Sequence, residues 1–196
     1  MRIGVLGGSF DPPHLGHLKF ALSALDQLDL EEVMFVPNFR NPLKRKGSQT
    51  PAKHRLEMVS RLAAKFATFS VSDIEVRRAG PSYTVETMTE LTLVRPGDYW
   101  FLLGADAARR LPEWKQPERL IRLCRLGVAL RPPLTETQVL ARFSAEFKAA
   151  VDLVKMEPVD ISSTDIRDRI ARGTSVAPWV APEVIDYIQQ HKLYRS

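Results

Sequence analysis

Short runs of apolar residues alternate along the chain with longer stretches in which apolar positions recur every three or four residues. The short runs predict buried strands at residues 3–6, 33–36, 69–71, 99–103 and 126–130. The longer stretches predict helices at about 14–28, 51–63, 84–94, 136–150, 164–171 and 183–190. Strands that alternate with helices are typical of βαβ units. The pattern therefore predicts a doubly wound α/β fold, with a mostly parallel sheet, helices on both faces and ligands at the carboxyl ends of the strands.

Helix boundaries and chain length complete this outline. Thr50 is predicted to cap the helix that begins at Pro51, because threonine is a good N-cap and proline suits the first helical position. Pro182 introduces the last helix in the same manner. The chain of 196 residues contains no internal repeat, so we expect one domain over 1–196, with a C-terminal helical segment from about residue 160.

Composition and charge exclude several classes of protein. Hydrophobic residues make up 44% of the chain and charged residues 26%, which is ordinary globular usage. The net charge of +5 permits phosphate-rich ligands without requiring nucleic acid. The single cysteine, Cys124, excludes an internal disulfide and a cysteine-based zinc site, and its apolar surroundings predict a buried structural thiol. No apolar run approaches the ~18 residues of a membrane helix, and the N-terminus does not resemble a signal peptide, so we expect a soluble, cytoplasmic protein.

The loop after the first strand carries the first candidate chemistry. Gly7 and Gly8 allow a sharp turn and close approach to a ligand, although the loop is neither GxGxxG nor a P-loop. His14 and His17 then stand at i and i+3 near a helix start, which puts both imidazoles on one face at the end of the helix that attracts anions. This arrangement suits a polyphosphate. A zinc site would need a third protein ligand that no nearby residue supplies, and the bland alternative is that both histidines only cap and pack the helix.

A second candidate anion site lies near the C-terminus. Ser162 and Asp165 have the spacing of a capping box, which predicts that a helix starts there. The free N–H groups of that helix, the hydroxyls of Ser163 and Thr164, and the guanidinium of Arg167 are candidates to converge on an anion. The alternative is a well-capped surface helix that binds nothing.

The two stretches together resemble the paired signatures of the HxGH nucleotidyltransferase superfamily, GGSFDPPHLGH at 7–17 and ISSTDIR at 161–167. The resemblance implies a Rossmann-like fold and the transfer of an adenylyl or cytidylyl group. It implies catalytic roles for His14, His17, Lys44 and Arg167. It also implies that ATP is bound by Gly7, Gly8, Ser9, Phe10, His14, His17, Gly104, Asp106, Ile161, Ser162, Ser163, Thr164 and Arg167.

Three segments between the signatures resemble the nicotinate-nucleotide branch of this superfamily: GPSYT at 80–84, LGAD at 103–106 and LPEW at 111–114. Taken singly, they read as a turn, a cap and a core tryptophan. The resemblance implies that nicotinate mononucleotide is bound by Ser9, Phe10, Lys44, Ser82, Tyr83, Thr84, Asp106 and Trp114. Lys44 matches a lysine of the family, whereas Leu43 stands where many relatives have histidine.

The implied reaction is a direct in-line attack by the 5′-phosphate of nicotinate mononucleotide on the α-phosphorus of ATP, which expels pyrophosphate. It needs no covalent intermediate and no general base, because the attacking phosphate is already ionised. Mg²⁺ is expected to bind mainly through the substrate phosphates, with no dedicated protein ligands. Two alternatives stay open: an adenylyltransferase with a nicotinamide mononucleotide or phosphopantetheine acceptor, and a non-catalytic module that binds nucleotides or nucleic acid. We expect neither nucleic acid nor a membrane as partner, and the sequence leaves open whether the chain is a monomer or a homo-oligomer.

Overall fold

The computed structural model describes residues 1–43, 48, 50–141, 143–157 and 159–195. Within them, six parallel strands form one sheet in the order β3-β2-β1-β4-β5-β6. The strands are β1 (Arg2–Gly8), β2 (Glu32–Pro37), β3 (Phe69–Val71), β4 (Asp98–Gly104), β5 (Arg125–Leu130) and β6 (Val151–Lys155). The order reverses between β1 and β4, so the connections leave these two strands in opposite directions and open a crevice at their carboxyl ends.

Helices cover both faces of the sheet, as predicted. They are α1 (Leu15–Gln27), α2 (Ala52–Ala63), α3 (Ile74–Arg78), α4 (Thr84–Val94), α5 (Ala105–Arg109), α6 (Pro117–Leu123), α7 (Glu136–Leu140), α8 (Ala145–Ala149), α9 (Ser163–Ala171) and α10 (Pro182–Gln190), with a 3-10 turn at Leu111–Glu113. Along β4, Phe101 packs into the core cluster that contains Met88 of α4, whereas Leu102 packs into the cluster that contains Ala21 of α1. The alternation of side chains across a strand thus builds two cores, one on each face.

The predicted cap of α2 is wrong. The helix begins at Ala52, and Pro51 occupies the cap position without a side-chain hydrogen bond. Thr50 instead lies buried before the helix: its N–H donates to Asp11 Oδ2 (3.4 Å) and its carbonyl accepts from Arg55 Nε (3.0 Å). These contacts engage the backbone of Thr50, one with the loop after β1 and one with the side chain of Arg55 on α2.

The single helix predicted over 136–150 is also wrong, because the chain forms two short helices there. Thr135 caps α7 in a reciprocal capping box, and Ser144 caps α8 by accepting from the N–H of Phe147. Phe143 is buried at the break between the two helices. The edge strand β6 follows directly and was missed, as were the short helices α3, α5 and α6.

The C-terminal segment packs against the rest of the domain through a third apolar cluster. Ile166 of α9 and Val184 and Ile188 of α10 join Met58 and Leu62 of α2 in this cluster. This contact brings the start of α9 toward the loop that follows β1. The two signature stretches, far apart in the chain, are therefore neighbours in the fold.

Cys124 is buried at the end of α6, as predicted, and burial raises the pKa of its thiol to about 12. The thiol is therefore protonated at neutral pH and does not act as a nucleophile. Among the helices described, none is long and apolar enough to cross a membrane.

Candidate active site

A cavity of about 490 Å³ opens at the carboxyl edge of the sheet, where β1 and β4 lie side by side. Its walls come from the ends of β1 and β4, the start of α1, the loop after β2 and the start of α4. The predicted site residues that line it are Gly7, Gly8, His14, His17, Ser82, Tyr83, Thr84, Gly104, Trp114 and Ile161. The fold thus gathers residues of both signatures and of the segments between them around one cavity.

Two histidines form the cap of α1. His14 Nδ1 accepts the N–H of Gly16 (3.1 Å), and His17 Nδ1 accepts the N–H of His14 (3.2 Å). A backbone N–H is always a donor, so Nδ1 of each ring is an unprotonated acceptor and the ring proton of the neutral imidazole is on Nε2. Both rings line the cavity, with centroids 3.9 Å apart. The two histidines therefore do cap the helix. The same cap also fixes both imidazoles as N–H donors at the cavity wall.

Burial, assisted by the positive charge of Arg131, lowers the pKa of His14 from its ordinary value of 6.5 to about 4. His14 is therefore neutral at pH 7 and acts as a dipolar donor without carrying a charge. Arg131 also lines the cavity and follows β5 directly. Sequence reasoning did not include it, although its position just after a buried strand, at the ligand-binding edge, was a usable signal.

The lowered pKa of His14 predicts a specific loss of stability in acid. Between pH 6.5 and about 4 the unfolded chain binds a proton at His14 that the folded protein excludes, so stability falls as pH falls. At pH 5 the free energy of unfolding is expected to be about 2 kcal/mol lower than at pH 8 because of this residue. His14→Asn keeps a capping acceptor but removes the titrating ring. Urea unfolding at pH 8 and pH 5 should show a smaller acid loss in the variant than in the wild-type protein. Equal losses would contradict the assignment.

Ser9 and Phe10 shape the loop instead of lining the cavity. Phe10 is 1% exposed and packs edge-on against His17, with ring centroids 4.9 Å apart. Its φ of 48° lies in the left-handed region, which costs a residue with a side chain on the order of 1 kcal/mol and persists because burial of the ring holds it. The carbonyl of Ser9 accepts from Arg55 Nη1 (2.6 Å). Direct contact of either residue with a substrate stays a prediction.

Arg55 is a buried cation that sequence reasoning missed. It is 1% exposed on α2 and ties together three loop segments. Its guanidinium donates to the carbonyls of Ser9 (2.6 Å), Asn38 (2.6 Å), Phe39 (3.1 Å) and Thr50 (3.0 Å) and to Asn38 Oδ1 (3.4 Å). Buried Asp11 contributes a compensating negative charge. A charged residue four before Val59, on the apolar stripe of α2, was the signal that could have found it.

The second signature forms the predicted capping box and docks on the first loop. Ser162 Oγ accepts from the N–H of Asp165 (3.2 Å), and Asp165 Oδ2 accepts from the N–H of Ser162 (3.0 Å). Ser163 Oγ donates to the carbonyl of Pro12 (3.0 Å). This half of the site therefore supports the loop that carries the histidines.

Arg167 takes part in the same docking. Its Nη1 donates to the carbonyl of Asp11 (2.8 Å), and its Nη2 donates to Thr164 Oγ1 (3.2 Å). The side chains of Arg167 and Thr164 do not line the cavity. Binding of ATP phosphates by Ser162, Ser163, Thr164 and Arg167 stays a prediction.

The opposite end of the cavity is formed by the start of α4 and by Trp114. Ser82 Oγ accepts from the N–H of Phe39 (3.0 Å), which joins the loop before α4 to the loop after β2. Glu75, a buried residue that also lines the cavity, accepts from Thr87 Oγ1 (2.6 Å), and burial raises its pKa against the opposing effect of its hydrogen bonds. The Trp114 ring packs edge-on against Phe101, with centroids 5.8 Å apart. This end is thus aromatic and bounded by polar loops.

Asp106 and Lys44 are the remaining predicted site residues, and neither belongs to the described lining. Asp106 lies exposed on α5, where it pairs with Arg109, although Gly104 beside it lines the cavity. Its contact with a ribose stays a prediction. Lys44 lies outside the residues that the structure describes. Among the described residues, no group of three or more His, Cys, Asp or Glu side chains is placed to hold a metal ion.

Comparison with known proteins supplies an independent line of evidence. The family model of the cytidylyltransferase-like proteins matches residues 5–169. The chain is 40% identical to a probable nicotinate-nucleotide adenylyltransferase from Synechococcus sp. (strain JA-3-3Ab), over 98% of this chain and 94% of the relative. It is 41% identical to a protein of the same description from Leifsonia xyli, over 100% of this chain and 94% of the relative.

A solved structure shares the fold. The Plasmodium falciparum nicotinic acid mononucleotide adenylyltransferase complexed with NaAD has a TM-score of 0.78 to this chain. The match covers 98% of this chain and 97% of the other, at 20% identity. At that identity the likeness concerns the architecture, and it agrees with the parallel doubly wound sheet described above.

Proposed function

The chain belongs to the cytidylyltransferase-like family and, within it, to the nicotinate-nucleotide adenylyltransferases, and from this premise we propose how it joins ATP and nicotinate mononucleotide in NAD biosynthesis. The products are deamido-NAD and pyrophosphate. The observation that carries the proposal is the double-histidine cap of α1, which faces a cavity closed at its other end by Trp114 and the start of α4. One end suits a polyphosphate and the other an aromatic nucleotide base.

The reaction is a single in-line displacement. An oxygen of the acceptor 5′-phosphate bonds to the α-phosphorus of ATP, and the bond from that phosphorus to the bridging oxygen of the β-phosphate breaks. Pyrophosphate leaves with the electron pair. Such transfers depend on positioning and charge stabilisation more than on covalent chemistry, so the protein must hold two phosphates in line and exclude water.

The imidazoles of His14 and His17 donate to the α-phosphate oxygens as negative charge builds in the transition state. Arg131, beside His14, adds a fixed positive charge at the same end of the cavity. Lys44 and Arg167 are assigned to the β- and γ-phosphates. Arg167 already lies against the first loop, because its Nη1 donates to the carbonyl of Asp11 (2.8 Å).

Mg²⁺ that enters together with ATP would neutralise part of the charge of the phosphates. The donor set suits that arrangement: the cavity wall near α1 offers imidazole and guanidinium groups, which bind phosphate oxygens, whereas Mg²⁺ prefers oxygen ligands and keeps several waters. The ion would therefore be held by the phosphates and by water, and the protein would hold the phosphates.

Pyrophosphate release separates the proposed reaction from its alternatives. The protein is incubated with ATP and Mg²⁺ together with nicotinate mononucleotide, nicotinamide mononucleotide or phosphopantetheine in separate reactions. We expect the fastest release with nicotinate mononucleotide and loss of release when EDTA removes the metal. Faster release with another acceptor would reassign the substrate. No release with any acceptor would favour a binding module.

A further inference from the structure

Lys115 is a cation at the base-binding end of the cavity that the catalytic assignment does not use. It follows Trp114 directly, and both residues line the cavity. Its Nζ lies 4.4 Å from the centroid of the Tyr83 ring, at the start of α4. The ammonium is thus held beside the aromatic groups that would surround a pyridine ring.

The ammonium keeps donor capacity for a ligand. Its described hydrogen bond goes to Glu86 Oε1 (2.5 Å), and an ammonium has three donors. Glu86 also lies 4.0 Å from Arg78 Nε, so its negative charge is shared between two cations. The Lys115 side chain is 44% exposed, which leaves it accessible from the cavity mouth. The positive charge of Lys115 is therefore only partly balanced.

The other cations that line the described cavity serve elsewhere. Arg110 forms a two-pronged ion pair with Glu113, from Nε (3.1 Å) and Nη2 (2.7 Å) to the same carboxylate oxygen. Arg131 stands beside His14 at the phosphate end. The indole Nε1–H of Trp114 is buried and has no hydrogen-bond partner among the described residues. The end with Trp114 and Lys115 thus contains unused donors of both the neutral and the charged kind.

We infer that Lys115 is a specificity-determining residue that selects an acceptor with a carboxylate on its pyridine ring over one with a carboxamide. The inference rests on the proposed function, because it concerns the acceptor of that reaction. A ring carboxylate would give the ammonium a second anionic partner besides Glu86. A carboxamide is neutral, and its NH₂ group is a donor that cannot accept a hydrogen bond from the ammonium. The nicotinate and nicotinamide forms differ in this group alone.

The test compares both acceptors on matched variants. Lys115→Met removes the charge at nearly constant length, Lys115→Arg keeps the charge, and Lys65→Met removes an exposed lysine that pairs with Glu183. We expect Lys115→Met to lower kcat/KM for nicotinate mononucleotide about tenfold, equivalent to about 1.4 kcal/mol, mainly through KM. The value for nicotinamide mononucleotide, or its inhibition constant where turnover is slow, should change less than about twofold. Lys115→Arg should retain most of the preference, and Lys65→Met all of it.

Calorimetric binding of the two mononucleotides to the wild-type protein and Lys115→Met measures the same selectivity without turnover. An equal loss for both acceptors, or no loss for either, would overturn the role of Lys115. A separate result would contradict the proposed reaction itself: no release of pyrophosphate by the wild-type protein with nicotinate mononucleotide. The binding ratio of the two mononucleotides would still decide whether Lys115 recognises a carboxylate.

Discussion

His17→Ala is expected to lower the turnover number by about a hundredfold or more, the usual cost of removing one donor aimed at developing charge. The imidazole of His17 lines the cavity, and its surroundings hold it in place: its Nδ1 accepts the N–H of His14, and its ring packs against Phe10 and the ring of His14. Alanine removes the donor from the site and one half of the capping box. The fold should survive, because loss of one cap costs only about 1 kcal/mol. Steady-state rates of pyrophosphate release and a urea unfolding curve measure the two effects.

A second substitution separates capping from catalysis. The amide of His17→Asn can still accept the N–H of His14, as Nδ1 does, but it does not reach the position of Nε2. This variant should regain the lost stability and remain as slow as His17→Ala. His191→Ala, which changes an exposed histidine after α10, serves as the control and should retain the wild-type rate. A catalytic rate near wild type in His17→Asn would mean that the ring matters for the cap alone.

The elements with strong periodicity could be predicted because their local pattern and their burial agree. β4 and α4 coincide closely with the prediction, since an uninterrupted apolar run and a clean helical stripe each have one good solution. β6 could not be predicted in the same manner. It is an edge strand in which only Val154 is buried, and Asp152 within it is held by Arg125 Nε (2.6 Å) and Trp100 Nε1 (2.8 Å). Those partners come from β4 and β5, far away in the sequence, and leave no local signal.

The residues of the candidate site likewise differ in whether the local sequence predicts their contacts. His14 and His17 could be placed at a helix start beside the ligand-binding edge because their i, i+3 spacing follows a buried strand and a Gly-Gly turn. Thr50 was misassigned because its cap preference, a local property, lost to tertiary hydrogen bonds. Tyr194 shows the limit most clearly: its Oη donates to Asp11 Oδ1 (2.8 Å) across 183 positions of sequence. No local pattern reports such a contact.

These long-range contacts have a common effect, which is to immobilise the loop between β1 and α1. Tyr194 and Thr50 hold the carboxylate of Asp11, Arg167 holds its carbonyl, and Arg55 holds the carbonyl of Ser9. Preorganisation of this kind is what a displacement without covalent catalysis requires, since the donors must already be in place when charge develops. The C-terminal segment therefore supports the loop that carries the histidines, in addition to the phosphate-binding role proposed for its own motif.

Arg55→Met should be the most destabilising substitution in this support, lowering the free energy of unfolding by about 3–5 kcal/mol. It removes five hydrogen bonds to three loop segments. The carbonyls of the buried residues Asn38 and Thr50 would then lack this donor. Buried Asp11 would also lose its compensating charge. Each unsatisfied buried group costs about 1–3 kcal/mol, although relaxation and entering water recover part of the sum. Urea unfolding monitored by circular dichroism measures the loss.

Two further variants show whether the stabilising effect of Arg55 depends on its charge or on the geometry of its hydrogen bonds. Arg55→Lys keeps the charge but offers three donors from one point, so it cannot reach acceptors that surround a planar guanidinium and should recover only part of the stability. Arg61→Met, on the same helix, removes a half-exposed partner of Glu57 and should cost less than about 1 kcal/mol. If Arg55→Lys folds, a raised KM for both substrates, measured under conditions where the variant is fully folded, would indicate that the guanidinium of Arg55 positions the loop as well as stabilising it. A loss below about 1 kcal/mol in Arg55→Met would show that the loop is held by the C-terminal contacts alone.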